Sequence, residues 1–312
     1  MVHPVSPITK AAGTKLFAQF KAEDVIRLYH EQLNIDVSRF FTNNSVFNLY
    51  KCTQTGYKFY HPQELAGDGK FYESLQRQLG SEYYHGWKFE NQLALNQIKN
   101  GDEVLDIGCG TGNFLARVKE KTNEAYGLEL NDEAVNVCRS RGLNVYREFI
   151  QDHAASRKGF YDVVCAFQVL EHIYDVKEFI ESTLSVLKKD GKLIIGVPNN
   201  EPYFLGYDKY CTLNLPPHHI GLWNKEVFKN FASIFNLQIE KVEYDTKGRM
   251  LTEAYLRAKY LAGIKSLGGR HSLTQKIIMS SLALITLPEA FVKKLTRGLH
   301  GSHMALVFRK LN

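Results

Sequence analysis

The sequence predicts an α/β fold, a doubly wound and mostly parallel sheet with helices on both faces, and three observations carry that expectation. The stretch Glu103–Leu115, EVLDIGCGTGNFL, is a short apolar run that stops in glycines and passes at once into a helical period. From Glu124 to Tyr244 strand-like and helix-like patterns alternate, as they do in consecutive βαβ units. A separate apolar run near the end, Met304 to Phe308 (MALVF), supplies a last strand.

The 312 residues, 44% of them hydrophobic, suffice for one large core plus an appended unit. A net charge of +6 is a modest bias that does not point to nucleic acid. Five cysteines without paired spacing argue for a reducing compartment, and Met1 to Gly13 shows no apolar secretory region, so a cytoplasmic protein is expected.

Residues 14 to 33 are expected to be helical, because Leu16, Phe17, Phe20, Val25, Leu28, Tyr29 and Leu33 recur near one face. Val46 to Pro62 alternates like two strands joined at Thr53 to Gly56. It is similar to a zinc-knuckle hairpin that keeps a single cysteine, Cys52, and one thiolate cannot make a structural zinc site; no metal is expected. Residues 1–79 are thus read as an auxiliary region and 80–312 as the main domain. Gly80 to Asn96 leads into that domain, with a helix carrying Leu93 and Leu95 and with Tyr83, Tyr84 and Lys88 just upstream of the glycine turn.

In the turn itself, Asp106 ends the strand, and Gly108, Gly110 and Gly112 allow positive φ and close approach of a ligand. The helix that follows aims its free N–H groups at the same place. A dinucleotide site wants GxGxxG, but its third glycine is Asn113 here; the pattern is DxGxGxG, in which a carboxylate would repel a pyrophosphate. Glu124 to Leu130 forms the second strand and ends on Glu129, placed to accept ribose hydroxyls. Asn131 and Asp132 cap the next helix, and Leu143 to Ile150 is the third strand, followed by Gln151 and Asp152. Tyr161 to His172 (YDVVCAFQVLEH) gives a buried fourth strand, and Asp175 opens a helix with Val176, Phe179, Ile180, Leu184 and Leu187 on one face. Leu193 to Val197 is the fifth strand, stopped at Pro198.

The DxGxGxG turn and the FQVLEH segment after the fourth strand, in that order, resemble class I methyltransferases that depend on S-adenosylmethionine (SAM), in the ubiquinone-biosynthesis-like branch (types 11 and 23). The resemblance covers roughly Tyr83 to Leu237. It implies a seven-stranded sheet of order 3-2-1-4-5-7-6 and a SAM site made from Asp106, Gly108, Cys109, Gly110, Gly112, Glu129, Leu130, Asn131, Gln151, Phe167 and Gln168, with Tyr84 closing over the methionine end. Asp152 serves equally well as a cap for the short turn after it.

Asn199 to Asn224 leaves the carboxyl end of the fifth strand, where ligands bind in open sheets. It carries Tyr203, Phe204, Tyr207, Tyr210 and Trp223 around Pro216-Pro217-His218-His219. An acceptor hydroxyl needs a base, and His218, His219 or His172 is the candidate; on an extended backbone adjacent histidines point opposite ways, so one of the pair is expected to act. Residues 250–300 are an insertion of helical pattern, and from 256 onward it is basic, with only Glu289 against eight Lys or Arg. It suits a lid, an oligomer contact, or a surface for anionic membrane or an acidic substrate.

The expected function is methyl transfer from SAM to a small-molecule acceptor. The resemblance implies a sugar acceptor, since related proteins with a zinc-module-like N-terminus often modify sugars in surface-polysaccharide pathways, which puts a saccharide or nucleotide-linked sugar first. A quinone-like O-methyltransferase, an inactive SAM-binding scaffold and, against Asn113, an NAD-linked oxidoreductase are the alternatives.

Overall fold

The structure is a computed structural model, and it describes residues 3–80, 86–122, 124–200, 212–245 and 301–311. Tyr83, Tyr84, the loop aromatics Tyr203, Phe204, Tyr207 and Tyr210, and the insertion 250–300 lie outside the described residues.

The N-terminal region begins with β1 (Thr14–Lys21) and α1 (Ala22–Leu33), followed by β2 (Val46–Cys52), β3 (Lys58–His61) and α2 (Gly69–Leu79). The expected helix over 14–33 is therefore half strand. Leu16 and Phe17, counted toward its apolar face, stand about half exposed, while Phe20 stacks on Phe47 at 5.4 Å across the antiparallel β1–β2 pair. Cross-strand pairing overrides a helical period that half-exposed residues had completed. The hairpin of β2 and β3 forms as expected.

The main domain adds α3 (Phe89–Leu95), β4 (Val104–Ile107), α4 (Asn113–Lys121), β5 (Ala125–Leu128), α5 (Asp132–Ser140), β6 (Asn144–Tyr146) and α6 (Ile150–Ala154). It continues with β7 (Tyr161–Phe167), α7 (Val176–Val186), β8 (Leu187–Pro198), β9 (Gly221–Leu222), α8 (Lys225–Ile234), β10 (Leu237–Tyr244) and β11 (His303–Lys310). Seven strands make one sheet in the order β10-β11-β8-β7-β4-β5-β6, which is 3-2-1-4-5-7-6 counted from β4 as the first. β11 runs antiparallel between β8 and β10, and the other neighbours are parallel.

The local chemistry explains the punctuation. Asp68, Asn131 and Asn224 cap α2, α5 and α8 by accepting backbone N–H groups at 2.9–3.0 Å. All four residues of β4 are buried, as a central parallel strand covered on both faces requires. Leu105, Ile107, Val164, Ile195 and Leu306 belong to one core, Val104, Val163, Cys165, Ile194 and Val307 to the other. The fifth strand is longer than expected, since Leu187 to Asp190 pair with or extend it instead of finishing α7.

The two regions are joined through the loop after β8. β9 pairs with β3 (Phe59 with Gly221, Lys58 with Leu222), so the auxiliary sheet takes its fourth strand from the main domain. A Cβ at Gly221 would run into the Tyr57 ring, which is why the two chains can approach there.

Candidate active site

The glycine turn after β4 is built as the sequence implies. Gly108, Gly110 and Gly112 have φ of 72°, 53° and 77°, conformations that cost little only in glycine. A Cβ on Gly108 would lie 2.6 Å from Val169 Cγ2, so the turn is packed directly under the segment that follows β7. Asp106 is buried, burial and the nearby Glu129 charge hold its carboxyl well above the usual range, and Oδ1 has no partner among the described residues. An orphaned carboxylate oxygen at a strand end, beside a backbone cradle, fits a ligand that brings its own positive charge.

Glu129 does two jobs. Its Oε2 accepts the Gly110 N–H at 2.9 Å, and its Oε1 accepts those of Leu130 and Asn131, each at 2.8 Å. The carboxylate thus braces the turn and keeps only part of its accepting capacity for ribose hydroxyls. Glu129→Ala should weaken SAM binding by roughly 1.5–3 kcal/mol, the range for hydrogen bonds to a charged group. Calorimetry on the folded variant checks this, and unchanged affinity would remove Glu129 from the site.

Other members of the expected SAM set sort themselves by geometry. Cys109 turns its thiol inward against Gly127, where a Cβ would come within 2.7 Å of it, so only its backbone faces the turn. Asn131 is spent as the α5 cap. Phe167 packs edge-on against Phe114 at 5.1 Å, and Gln168, with φ of 55°, donates Nε2–H to Glu90 Oε1 at 3.3 Å. Gln151 is half-buried in the first turn of α6. Leu130 (47% exposed) and Phe149 (59% exposed) leave large apolar surfaces beyond the ends of β5 and β6, suited to a flat ring. Phe149 was missed in the sequence, where it reads as part of a longer third strand.

The three candidate histidines come together. Ring centroids are 5.0 Å apart for His172 and His218, 5.1 Å for His172 and His219, and 4.3 Å for His218 and His219. The expectation that the adjacent pair must diverge is overturned: their rings stack at an interplanar angle of 22°. It assumed an extended backbone, whereas the chain turns here, with both His218 and His219 N–H directed to the carbonyl of Leu215. The auxiliary region holds that turn in place. Tyr29 Oη donates to the Leu215 carbonyl at 2.9 Å, Gly67 N–H to Pro217 at 2.8 Å, and Tyr72 Oη to the His218 carbonyl at 3.1 Å.

Glu171 is the functional-looking residue that sequence reasoning passed over. It is 1% exposed, its Oε2 is unpartnered among the described residues, and its Oε1 lies 3.9 Å from His172 Nε2. Burial pushes its carboxyl up to about 8, and burial pushes His172 down to about 4, His218 to about 3 and His219 well below the ordinary value. The only signal in the sequence was an acid beside a histidine, in a segment already read as a motif.

These shifts fix a sign. Between pH 4.5 and 6.5, the ordinary values of the two residue types, an unfolded chain holds three imidazole protons that the folded cluster refuses, and has released one that folded Glu171 keeps. The unfolded state binds about two more protons, so these four groups should make stability rise with pH by about 2–3 kcal/mol per unit across that window. From pH 6.5 to about 8, Glu171 alone should lower it again. Urea unfolding in chelating buffer checks this, with His219→Gln expected to remove about one proton from the rise; an unaltered slope would contradict the assignment.

A doubly wound sheet of order 3-2-1-4-5-7-6, with an acid-led glycine turn at the end of its first strand, defines a class I methyltransferase. A family model described as a methyltransferase domain matches residues 77–242, just over half of the chain. The chain belongs to that family, whose cofactor is SAM. Among curated relatives, a ubiquinone biosynthesis O-methyltransferase of Vibrio campbellii is 31% identical over 121 residues, covering 35% of this chain and 52% of its own length. A protein of the same name from Xanthomonas oryzae is 32% identical over 108 residues, 33% of this chain and 45% of its own. The chain spans about half the length of the curated relatives it matches. A solved SAM-dependent methyltransferase from Archaeoglobus fulgidus is 20% identical, with a TM-score of 0.49 over 78% of this chain and all of that one. Among the described residues, no helix is long and apolar enough to cross a membrane.

Proposed function

We propose that this protein transfers the methyl group of SAM to a hydroxyl of a small molecule held against His172, His218 and His219. The observation that carries the reading is the closure of this buried three-imidazole cluster beside the glycine turn, through Val169 and the segment that follows it. SAM supplies an activated methyl on a sulfonium, so the protein's part is to position the acceptor and manage its proton.

His172 is the proton acceptor in this reading, because it is the most exposed of the three rings and the other two are nearly closed off. Its Nδ1 lies 2.6 Å from the His218 carbonyl, which can only accept, so Nδ1 carries the proton and Nε2 offers the lone pair. The acceptor oxygen gives its proton to Nε2 and bonds to the methyl carbon. The carbon–sulfur bond breaks with its electron pair going to sulfur, which leaves neutral as a thioether. Glu171, 3.9 Å from Nε2, keeps its own proton below about pH 8, and its carboxyl would offset the positive charge that His172 gains only once that proton has left.

Saccharides and nucleotide-linked sugars are the first acceptor class, supported by the knuckle-like hairpin whose sheet is tied to the histidine turn. Phenolic quinone precursors are the second, supported by the names of the curated relatives. Incubation with isotopically methyl-labelled SAM and a panel of nucleotide-linked sugars and catechols, read by mass spectrometry, separates the two. Label on neither class, with SAM bound, would leave a scaffold reading.

A further inference from the structure

The histidine cluster is arranged as a set of metal ligands. Each of the three rings makes a hydrogen bond at Nδ1, and His172 also meets the backbone carbonyl of Gln168. His172 reaches the carbonyl of His218 at 2.6 Å, His218 that of Leu213 at 2.9 Å, and His219 the Oδ1 of Asn214 at 3.1 Å. The orientation of the Asn214 amide is itself fixed, since Asn200 donates Nδ2–H to the same Oδ1 at 3.2 Å. Carbonyl and amide oxygens only accept, so the neutral rings of His218 and His219 carry their proton at Nδ1 and present an Nε2 lone pair.

That is how proteins prepare imidazoles for a cation: a second oxygen fixes the tautomer and the ring plane, and the other nitrogen ligates. One ring nitrogen from each residue lies within 4.8 Å of the other two. Tetrahedral ligation at about 2.0–2.1 Å puts such nitrogens roughly 3.4 Å apart. The largest separation would therefore have to close by no more than about 1.4 Å. A second observation points the same way. Glu171, 99% buried, keeps an Oε2 with no hydrogen-bond partner among the described residues, with its Oε1 3.9 Å from His172 Nε2, so a buried polar atom is left unsatisfied beside the cluster.

We infer that His172, His218 and His219 bind one divalent transition-metal ion of the zinc type, each through one ring nitrogen. Three imidazoles and no thiolate are the donors of an open zinc site, which keeps a position for an outside oxygen, and this set is too nitrogen-rich for calcium or magnesium. The inference rests on the proposed function only for where the acceptor sits. An ion there supplies Lewis-acid chemistry to the acceptor oxygen, and His172 then serves as a ligand instead of the proton acceptor. No sequence motif announces it, since the one metal-like motif is the hairpin around Cys52, and the ligands come from two segments 46 residues apart.

The test is made on the full chain with neither SAM nor acceptor present, so that its failure is separate from failure of the methyl-transfer reading. Chelator-treated protein titrated with Zn²⁺ should bind one equivalent. His172→Gln, His218→Gln and His219→Gln should each weaken binding at least tenfold, while His30→Gln, on an exposed part of α1, should not. Co²⁺ added to unaltered protein should give the intense visible bands of a tetrahedral site, a readout that holds even if a variant misfolds. Absence of those bands, or Zn²⁺ affinity indifferent to all three substitutions, would overturn the inference and return the cluster to proton transfer alone.

Discussion

Replacing His172 by alanine should lower methyl transfer by about 10²–10⁴-fold, the usual range for a positioned acid or base, while SAM binding changes little. The ring stands outside the glycine turn, and its partners are the His218 carbonyl, Tyr72 and Glu171. Asp106 and Glu129 are not among these partners, so the loss should fall on turnover. Single-turnover rates with saturating SAM, beside calorimetric SAM affinity, separate the two effects. His218→Ala and His219→Ala are expected to lose activity alongside it, because the pair stacks and one turn positions both rings. Equal, small losses in all three, with the fold preserved, would mean that the cluster only shapes the pocket.

The second large effect is expected in stability. Gly112 has a φ of 77°, and a Cβ there would sit 2.5 Å from Leu143 Cδ1 and 2.9 Å from Cys138 Sγ. The left-handed backbone costs an alanine about 1–2 kcal/mol, and forcing a methyl into packed side chains costs about 1–3 more. Gly112→Ala should thus lose roughly 2–5 kcal/mol, a large share of a typical domain's stability. Gly159 provides the control. Its φ is 59° but nothing lies within 4 Å of its Cβ position, so Gly159→Ala should show the backbone part alone. Urea unfolding of both variants checks the difference, and equal losses would mean that the contacts with Leu143 and Cys138 relax at no cost.

What the sequence made legible is what short-range patterns encode. The turn after β4 and the cap at Asn131 follow from glycine spacing and a side-chain oxygen within a few residues of its target, while the seven-stranded order follows from the resemblance to class I methyltransferases. β1 is not legible because its partner, β2, begins 25 residues after it ends, and a helical period cannot report a strand waiting that far away. The histidine cluster was half legible. Its members were named, but their assembly depends on a turn held by Tyr29, Gly67 and Tyr72 from the auxiliary region, a tertiary arrangement with no local signature.

Glu171 shows the same limit from the other side. A glutamate in a sequence reads as solvated by default, and only the packed fold reveals that it is 1% exposed and faces His172. Cys109 is the converse case: it stands inside the glycine motif, yet its thiol belongs to the core. Strand alternation could not assign its direction, because the turn has no fixed period.

The measurement closest to the central claim is titration calorimetry of the full chain with SAM, with S-adenosylhomocysteine and with NAD. The account expects one equivalent of SAM and of its demethylated product to bind, both weakened by Glu129→Ala, and NAD not to bind. Binding of NAD in place of SAM would contradict it.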